Sequence, residues 1–387
     1  MLQKALKSLL TLAFSLFLIL VSMPVLAGEP GQEGHPTEEK EKLNIKEVIF
    51  GHIMDGHEFH FFDITQADGT KKPVSIPLPV LLYSPQRGVS FFMSSNFHHG
   101  HEPYNDYMLL NEHNIHELGL DPKKFTAGTI IPIKDGKLDS SVSVFDLSLT
   151  RNVVQMLIAL ALLVWIMMSI AKRYKAGQGV TTAPKGMQSL LEPVITFVRD
   201  EVAKPNLSHK ADKYLPYLLT VFFFILINNI FGLIPGTANV TGNIAFTVVL
   251  GLISFVVILF SSNGHYWGHI FNPPGVPGFV KPILVLVEFL SVFIKPFALI
   301  IRLFANMVAG HIIIICLISL IFIFGNIKPA IGYAASPVSL VFTIFIYFIE
   351  VLVAFLQAFI FTNLTAVFIG QAFEGEHHHE EAHAAAH

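Results

Sequence analysis

The stretch that decides the fold is residues 283–325, ILVLVEFLSVFIKPFALIIRLFANMVAGHIIIICLISLIFIFG. Its 43 residues are almost all apolar, and residues 338–373 form a second such run of 36. At 1.5 Å per residue, helices of these lengths would measure roughly 50–65 Å, whereas the hydrocarbon core of a bilayer is only about 30 Å thick. Each run is therefore either two short helices or one long, steeply tilted helix.

No turn signal interrupts either run, although Pro296 could kink the first. We therefore expect two long, tilted helices that form a C-terminal hairpin. Its bend is expected at Asn326, Lys328, Pro329 and Pro337. A long tilted helix can lie against a curved partner.

Three shorter apolar runs precede the hairpin, at residues 149–171, 217–234 and 244–260. Each approaches the ~20 residues that a membrane span needs. Charged residues make up only 14% of the chain, against roughly 25% in soluble domains, and the mean hydropathy is +0.59. The sequence therefore predicts an all-α polytopic membrane protein with five spans.

Residues 172–213, between the first two spans, carry eight Lys or Arg. Basic loops stay on the cytoplasmic side, so we expect the first span to run from outside to inside and the C-terminus to be cytoplasmic. Within this loop, residues 184–202 place apolar side chains at helical spacing. They predict an amphipathic helix on the inner membrane surface, with an ordinary linker helix as the alternative.

The N-terminal part differs in composition. Residues 1–27 read as a signal peptide, with an extra membrane helix as the alternative. Residues 28–145 are predicted to be an extracytoplasmic extension, disordered up to residue 45 and β-rich beyond it, with strands at 74–83 and 89–97. Residues 146–373 form the membrane domain and residues 374–387 an acidic, His-rich tail.

Histidines are frequent in the extension, which raises the hypothesis of a metal-binding sensor with a membrane anchor: His52, His57, His60, His98, His99, His101, His113 and His116. No HExxH spacing occurs, so we expect no metal site. Cys316 is the only cysteine, which excludes an internal disulfide. No phosphate-binding loop of the Walker type is present, so no cofactor is expected. The net charge of −3 does not suggest a nucleic-acid partner.

Ionisable residues inside spans are costly and usually mark an ion path. Glu288, Lys295 and Arg302 are seven residues apart and share one helix face, with Asn306 close to it, whereas His311 lies nearly opposite. In the second run, Glu350 and Gln357 are also seven apart. The topology places Arg302 near mid-membrane, with titratable groups approaching it from both sides. Because arginine stays protonated, such a path conducts only if a mobile carboxylate carries the proton around it.

Three motifs resemble the ATP synthase a-subunit family: KPFALIIRLFANMVAGH (295–311), LQAFIF (356–361) and NIFGLIP (229–235). The resemblance covers roughly residues 149–373. It implies that Arg302 is the essential arginine and that Glu288, Asn306 and Gln357 assist it. Many bacterial members have an acid at the position of His311 and a histidine at that of Glu350, so this chain has the reciprocal exchange, which suggests that the two are neighbours.

The resemblance implies a non-catalytic proton-channel subunit in a bacterial inner membrane, within membrane lipid. Protons would approach from outside past Glu350 and His311, near Asn243 and Asn239, and leave past Glu288. The implied partners are a ring of c subunits, b-type peripheral stalk subunits and the catalytic head. A proton-coupled secondary transporter is the alternative, although no internal repeat is visible in the sequence.

Overall fold

The structure is a computed structural model that describes residues 55–65, 71–121, 124–179, 182–234, 237–272 and 277–373. The predicted signal peptide, the segment 28–45 and the tail 374–387 lie outside these residues. The helices are α1 (Glu112–Glu117), α2 (Arg151–Lys175), α3 (Met187–Phe197), α4 (Lys204–Leu207), α5 (Ala211–Leu233), α6 (Ile244–Ser261), α7 (Gly264–Phe271), α8 (Lys281–Ile327) and α9 (Pro329–Phe373).

Five helical segments of the described chain are long and apolar enough to cross a membrane, which confirms the predicted number of spans. They are α2, the stretch Met187–Leu233 that ends in α5, and α6, α8 and α9. The tilt of these helices and the membrane side of each end stay predictions.

The two long apolar runs are two long helices, as the absence of turn signals indicated. α8 has 47 residues and α9 has 45, and Lys328 alone separates them. The predicted bend was wrong at Pro337, which lies inside α9. The turn is tight because Gly332 approaches Gly325 so closely that a Cβ at residue 332 would lie 2.6 Å from the Gly325 Cα.

The predicted amphipathic segment forms α3 and a following π-helical turn, Val198–Ala203. Val198 and Val202 are fully buried in the main hydrophobic core, and Leu191, Val194 and Ile195 pack against that core. Much of the apolar face therefore packs on the other helices of this chain, while Leu190 remains exposed.

The described residues before α2 form eight strands: β1 (Glu58–Thr65), β2 (Lys71–Pro77), β3 (Pro79–Ser84), β4 (Gly88–Met93), β5 (Tyr107–Leu109), β6 (Ile130–Lys134), β7 (Lys137–Leu138) and β8 (Phe145–Asp146). They form sheets β1-β2, β4-β3-β8 and β5-β6-β7.

The region contains β-strands, as predicted, but the limits of both predicted strands were wrong. The predicted strand 74–83 is broken at Leu78, so β2 and β3 join different sheets. The predicted strand 89–97 ends at Met93, where a 3-10 helix, Ser94–Gly100, begins. Leu78 is buried and bonds to His57 and Ser94, which explains the break.

Histidines of this region pair with single carboxylates: His57 with Asp146, His99 with Glu58, His98 with Glu102 and His113 with Glu117. In the part of the chain that the structure describes, no group of three or more potential metal ligands occurs.

Candidate functional site

The predicted site residues lie on two antiparallel helices. Glu288, Arg302, Asn306 and His311 are on α8, and Glu350 and Gln357 are on α9. Two contacts fix how the helices align: Gly310 lies against the Glu350 carboxyl, and Lys295 donates a hydrogen bond to Gln371, 3.2 Å from Nζ to Oε1.

This alignment limits the position of Arg302 along α9. Counted from the contact between Gly310 and Glu350, Arg302 lies level with residue 358, and counted from the bond between Lys295 and Gln371 it lies level with residue 364. Gln357 lies just before that stretch, and the common membrane depth of Arg302 and Gln357 stays a prediction.

Arg302 lies on an exposed face of α8, and no hydrogen bond or ion pair joins it to another described residue. Its neighbours on that face are small: Ala298, Ala305 and Ala309 are all exposed. The opposite side of the same helix buries Leu299, Leu303 and Met307. Small residues let another helix approach closely, so this face is open to a partner with the guanidinium at its centre.

Glu350 is the buried acid of the site, with only 7% of its surface exposed. Its carboxyl lies against Gly310, and the Oε2 atom has no hydrogen-bond partner among the described residues. Because Gly310 directly precedes His311, the carboxyl lies beside the turn of α8 that carries His311. A buried carboxylate oxygen that has no hydrogen-bond partner is costly, which makes this carboxyl a candidate for proton uptake.

Glu288 lies nearer the start of α8, beside α7. Burial raises the pKa of the Tyr266 phenol on α7, and the nearby charge of Glu288 raises it further. Glu288 and Glu350 are therefore on opposite sides of Arg302 along the hairpin. Lys295, between Glu288 and Arg302, is engaged by Gln371 and by the Phe368 ring, 5.1 Å from Nζ to the ring centroid.

The remaining predicted residues have structural partners or lie close to α9. Asn243 caps α6, accepting a hydrogen bond from the Ala245 N–H at 2.9 Å. Gln357 is buried, 4% exposed, and Asn306 is half-buried. Asn239 is buried and donates to the Met307 carbonyl on α8, 3.3 Å away.

Sequence reasoning missed two residues that shape the site. Gly310 makes room for the Glu350 carboxyl, and Gln155 of α2 holds the loop that carries Asn239 by bonding both the N–H and the carbonyl of Ala238. Gln155 had a signal, because it is a polar residue near the start of an apolar span. Gly310 had only its position next to His311.

Comparison with known proteins gives two family matches. Residues 153–370 match the family described as ATP synthase A chain. Residues 48–139 match a domain of unknown function. The second match includes β1 to β7, and the first includes nearly all of α2 to α9.

Three relatives have names of the same kind. The chain is 47% identical to ATP synthase subunit a of Chloroherpeton thalassium over 62% of this chain and 71% of the relative. It is 44% identical to ATP synthase subunit a 2 of Chlorobaculum tepidum over 60% and 65%, and 45% identical to ATP synthase subunit a 2 of Prosthecochloris aestuarii over 62% and 72%. All three alignments span well over half of each chain.

Proposed function

The chain belongs to the ATP synthase subunit a family and serves ATP synthesis and proton transport in the membrane, and from that premise we propose how its residues move protons. Two half-channels end on either side of Arg302, against a rotating ring of c subunits. Glu350 and His311 serve the outer half-channel, and Glu288 serves the inner one. Asn306 and Gln357 line the region around Arg302, and Asn243 with Asn239 borders the outer passage.

The observation that carries this proposal is the open position of Arg302. A charged side chain in the middle of a span needs a partner, because lipid solvates it poorly. The described part of this chain supplies none, and the small residues around Arg302 leave space for another helix. A carboxylate on each subunit of a passing ring would complete the pair.

The outer half-channel explains the buried Glu350 carboxyl. A proton that arrives from outside would be taken up at Glu350 and His311 and passed to a ring carboxylate. Once neutral, that carboxylate can turn into lipid, where its charged form is strongly disfavoured. A membrane potential assists by about 2.3 kcal/mol per charge per 100 mV.

The inner half-channel completes the cycle. After nearly a full turn of the ring, each carboxylate approaches Arg302, whose positive charge favours the deprotonated form. The proton then leaves past Glu288. Because arginine does not release its own proton, Arg302 also blocks a direct leak between the half-channels.

The proposal includes the surroundings of the chain. We infer a bacterial inner membrane, an N-terminal signal peptide, an extracytoplasmic extension over residues 28–145 and a cytoplasmic tail. The b-type peripheral stalk would hold this chain still while the ring turns, and ATP would form in the separate catalytic head. The transporter alternative is not favoured, since the relatives are ATP synthase subunits.

Replacement of Arg302 by alanine tests the central assignment. In inside-out membrane vesicles, Arg302→Ala should reduce ATP-driven proton pumping to background, because the returning carboxylate keeps its proton. Lys295→Ala is the matched control, since it removes a positive charge seven residues away that is already engaged by Gln371. Pumping at the wild-type rate in Arg302→Ala would refute the role.

Replacement of Glu350 by glutamine tests the outer half-channel. Glu350→Gln keeps the size of the side chain but removes its ability to take up a proton, so proton uptake from the outer side should slow. The measurement is the rate of ATP synthesis driven by an imposed proton gradient. An unchanged rate would contradict the assignment of Glu350, while leaving that of Arg302 untouched.

A further inference from the structure

One face of the sheet β4-β3-β8 is apolar, and no other described part of the chain covers it. We call it the outer sheet face, and it consists of Pro79, Leu81, Tyr83, Val89, Phe91, Met93, Phe145 and Leu147. The members are neighbours across strands: Leu81 pairs with Phe91, and Tyr83 pairs with both Val89 and Phe145. The Tyr83 and Phe145 rings stack with centroids 6.3 Å apart.

The other face of the same sheet forms the core of this region. Val80, Leu82 and Phe92 alternate with the residues of the outer sheet face and are buried against Phe97 and Tyr107. An antiparallel sheet that is covered on one side normally carries polar residues on the other. This sheet is apolar on both sides, so its outer sheet face is built to be covered.

The exposure of the outer sheet face is large and contiguous. Phe91 is 70% exposed, Val89 is 68% exposed and Leu147 is 62% exposed. Single apolar residues on a surface need no explanation, but a contiguous apolar patch marks a binding site for protein or membrane.

The position of the outer sheet face next to a membrane span indicates which of these covers it. The Leu147 N–H bonds to the Leu81 carbonyl and the Leu149 N–H to the Pro79 carbonyl. The span α2 begins two residues after Leu149. The apolar sheet edge therefore continues directly into a segment that lies in lipid.

A second attachment holds the region at the same level. The Gly56 carbonyl accepts a hydrogen bond from the Arg151 N–H at 2.9 Å, and an Asp55 carboxylate oxygen accepts from the Asn152 N–H at 3.2 Å. The sheet region is thus bonded to the first turn of α2 and cannot stand away from the membrane on a flexible linker.

The chemistry of the outer sheet face suits a lipid surface. None of its eight members is charged. Three of them are aromatic, namely Tyr83, Phe91 and Phe145, and tyrosine is enriched at membrane interfaces. Arg87, in the turn between β3 and β4, bonds to the Asp106 carbonyl and to Asp139.

We propose that the outer sheet face docks on the lipid surface of the leaflet in which α2 begins. The aromatic and aliphatic side chains enter the boundary between headgroups and acyl chains. This inference does not depend on the assigned proton path, because it uses only the junction between the sheet and the span.

Spin-label accessibility in the full chain tests the proposal. In a Cys316→Ser background, nitroxide labels are attached in the variants Phe91→Cys, Val89→Cys and His113→Cys. The chain is reconstituted alone in vesicles of phosphatidylethanolamine and phosphatidylglycerol. His113 is the matched control because it lies in the same region with 85% of its side chain exposed.

Docking on lipid predicts a several-fold higher ratio of oxygen to nickel-complex accessibility at residues 89 and 91 than at residue 113. A ratio equal to that at residue 113 at both sites would overturn the proposal, because the face would then be in water. Low accessibility to both reagents would also overturn it, since it indicates coverage by protein, either a second copy of the chain or its own N-terminal segment.

Discussion

Glycine 310 sets the position of the buried carboxyl of Glu350. A Cβ at residue 310 would collide with the carbon and both oxygens of that carboxyl. Gly310→Ala should therefore displace Glu350, and because misplacing a reacting group by about 1 Å can cost around a hundredfold in rate, we expect at least a roughly tenfold loss of proton uptake. The measurement is ATP synthesis driven by an imposed gradient.

The control for this change is on the same helix. A Cβ at Gly325 would meet no heavy atom within 4 Å, so Gly325→Ala should leave the rate of synthesis close to that of the wild type. Equal rates in the two variants would show that the Glu350 carboxyl does not need its present position.

At the scale of residues, sequence spacing predicted part of the site. Helical spacing placed Glu350 and Gln357 on one face of α9, and both side chains are buried in the structure. The contact between Gly310 and Glu350 was not predicted, because it depends on the rotation of one helix against the other. Spacing within a single helix contains no information on that rotation.

At the scale of elements, the long apolar runs were predicted well and the short strands were not. The length of an apolar run limits a membrane helix directly, and α8 and α9 extend only a few residues beyond the predicted limits at most of their ends. The exception is the start of α9, which lies at Pro329, nine residues before the predicted start at residue 338. Proline is tolerated in the first turn of a helix, so Pro329 can begin α9, and Pro337 lies within the helix.

Strand limits depend on partners distant in sequence. The run from Val74 to Tyr83 has strand propensity throughout, yet β2 pairs with β1 and β3 pairs with β4 and β8. Since local propensity does not choose between these partners, the break at Leu78 was not visible in the sequence.

Helix α6 packs on α8 where Gly251 faces Ile300. A Cβ at residue 251 would collide with the Ile300 side chain, and overpacking of this kind costs about 1–3 kcal/mol. Gly251→Ala should therefore lower the thermal unfolding midpoint of the purified chain in detergent.

The control is Gly268→Ala in α7, where a Cβ would meet nothing within 4 Å. Replacing an unconstrained helical glycine by alanine is neutral or stabilising by about 0.5–1 kcal/mol. A midpoint for Gly251→Ala at or above that of Gly268→Ala would contradict the close contact between α6 and α8.

Gln155 joins α2 to the loop before α6. Its amide bonds to both the N–H and the carbonyl of Ala238, a fully buried residue. Gln155→Leu should leave both groups unpaired, and each buried unpaired group costs about 1–3 kcal/mol. Thermal unfolding should show the loss, whereas the neighbouring Met156→Leu should show little change.

The same variant should affect the hairpin, because Asn239 in this loop bonds to the Met307 carbonyl of α8. Gradient-driven synthesis should fall along with stability. A Gln155→Leu chain as stable as the Met156→Leu chain would mean that the two hydrogen bonds do not hold the loop.

At the scale of the whole molecule, hydrogen bonds as well as the covalent chain join the N-terminal sheets to the membrane helices. Asp55 and Gly56 bond to the first residues of α2, and His57 bonds to Asp146 across the junction, 2.8 Å from Nε2 to Oδ2. These contacts bring the start of the described region against the segment that leads into α2, so the stability of the sheets and the anchoring of that segment are coupled.

This coupling predicts an acid-sensitive junction. Burial acts to raise the pKa of Asp146, but hydrogen bonds from His57 and Ser148 and the charge of His57 outweigh it, so the pKa lies below its ordinary value. A carboxyl whose folded-state pKa is below the unfolded value of about 3.9 stabilises the fold above that value. The stabilisation is lost as the pH falls through the lower, folded-state pKa.

Urea unfolding tests this prediction, followed by the signal of a nitroxide attached at Lys137→Cys in the Cys316→Ser background. Unfolding should require less urea as the pH falls below about 4. Asp146→Asn should unfold at lower urea than its parent at neutral pH, and its stability should depend less on pH in the acid range. Glu117→Gln is the control, because it changes an exposed carboxyl that pairs with the exposed His113, and it should keep the parent's acid dependence. If Asp146→Asn kept the full acid dependence as well, the junction would owe its acid sensitivity to another group.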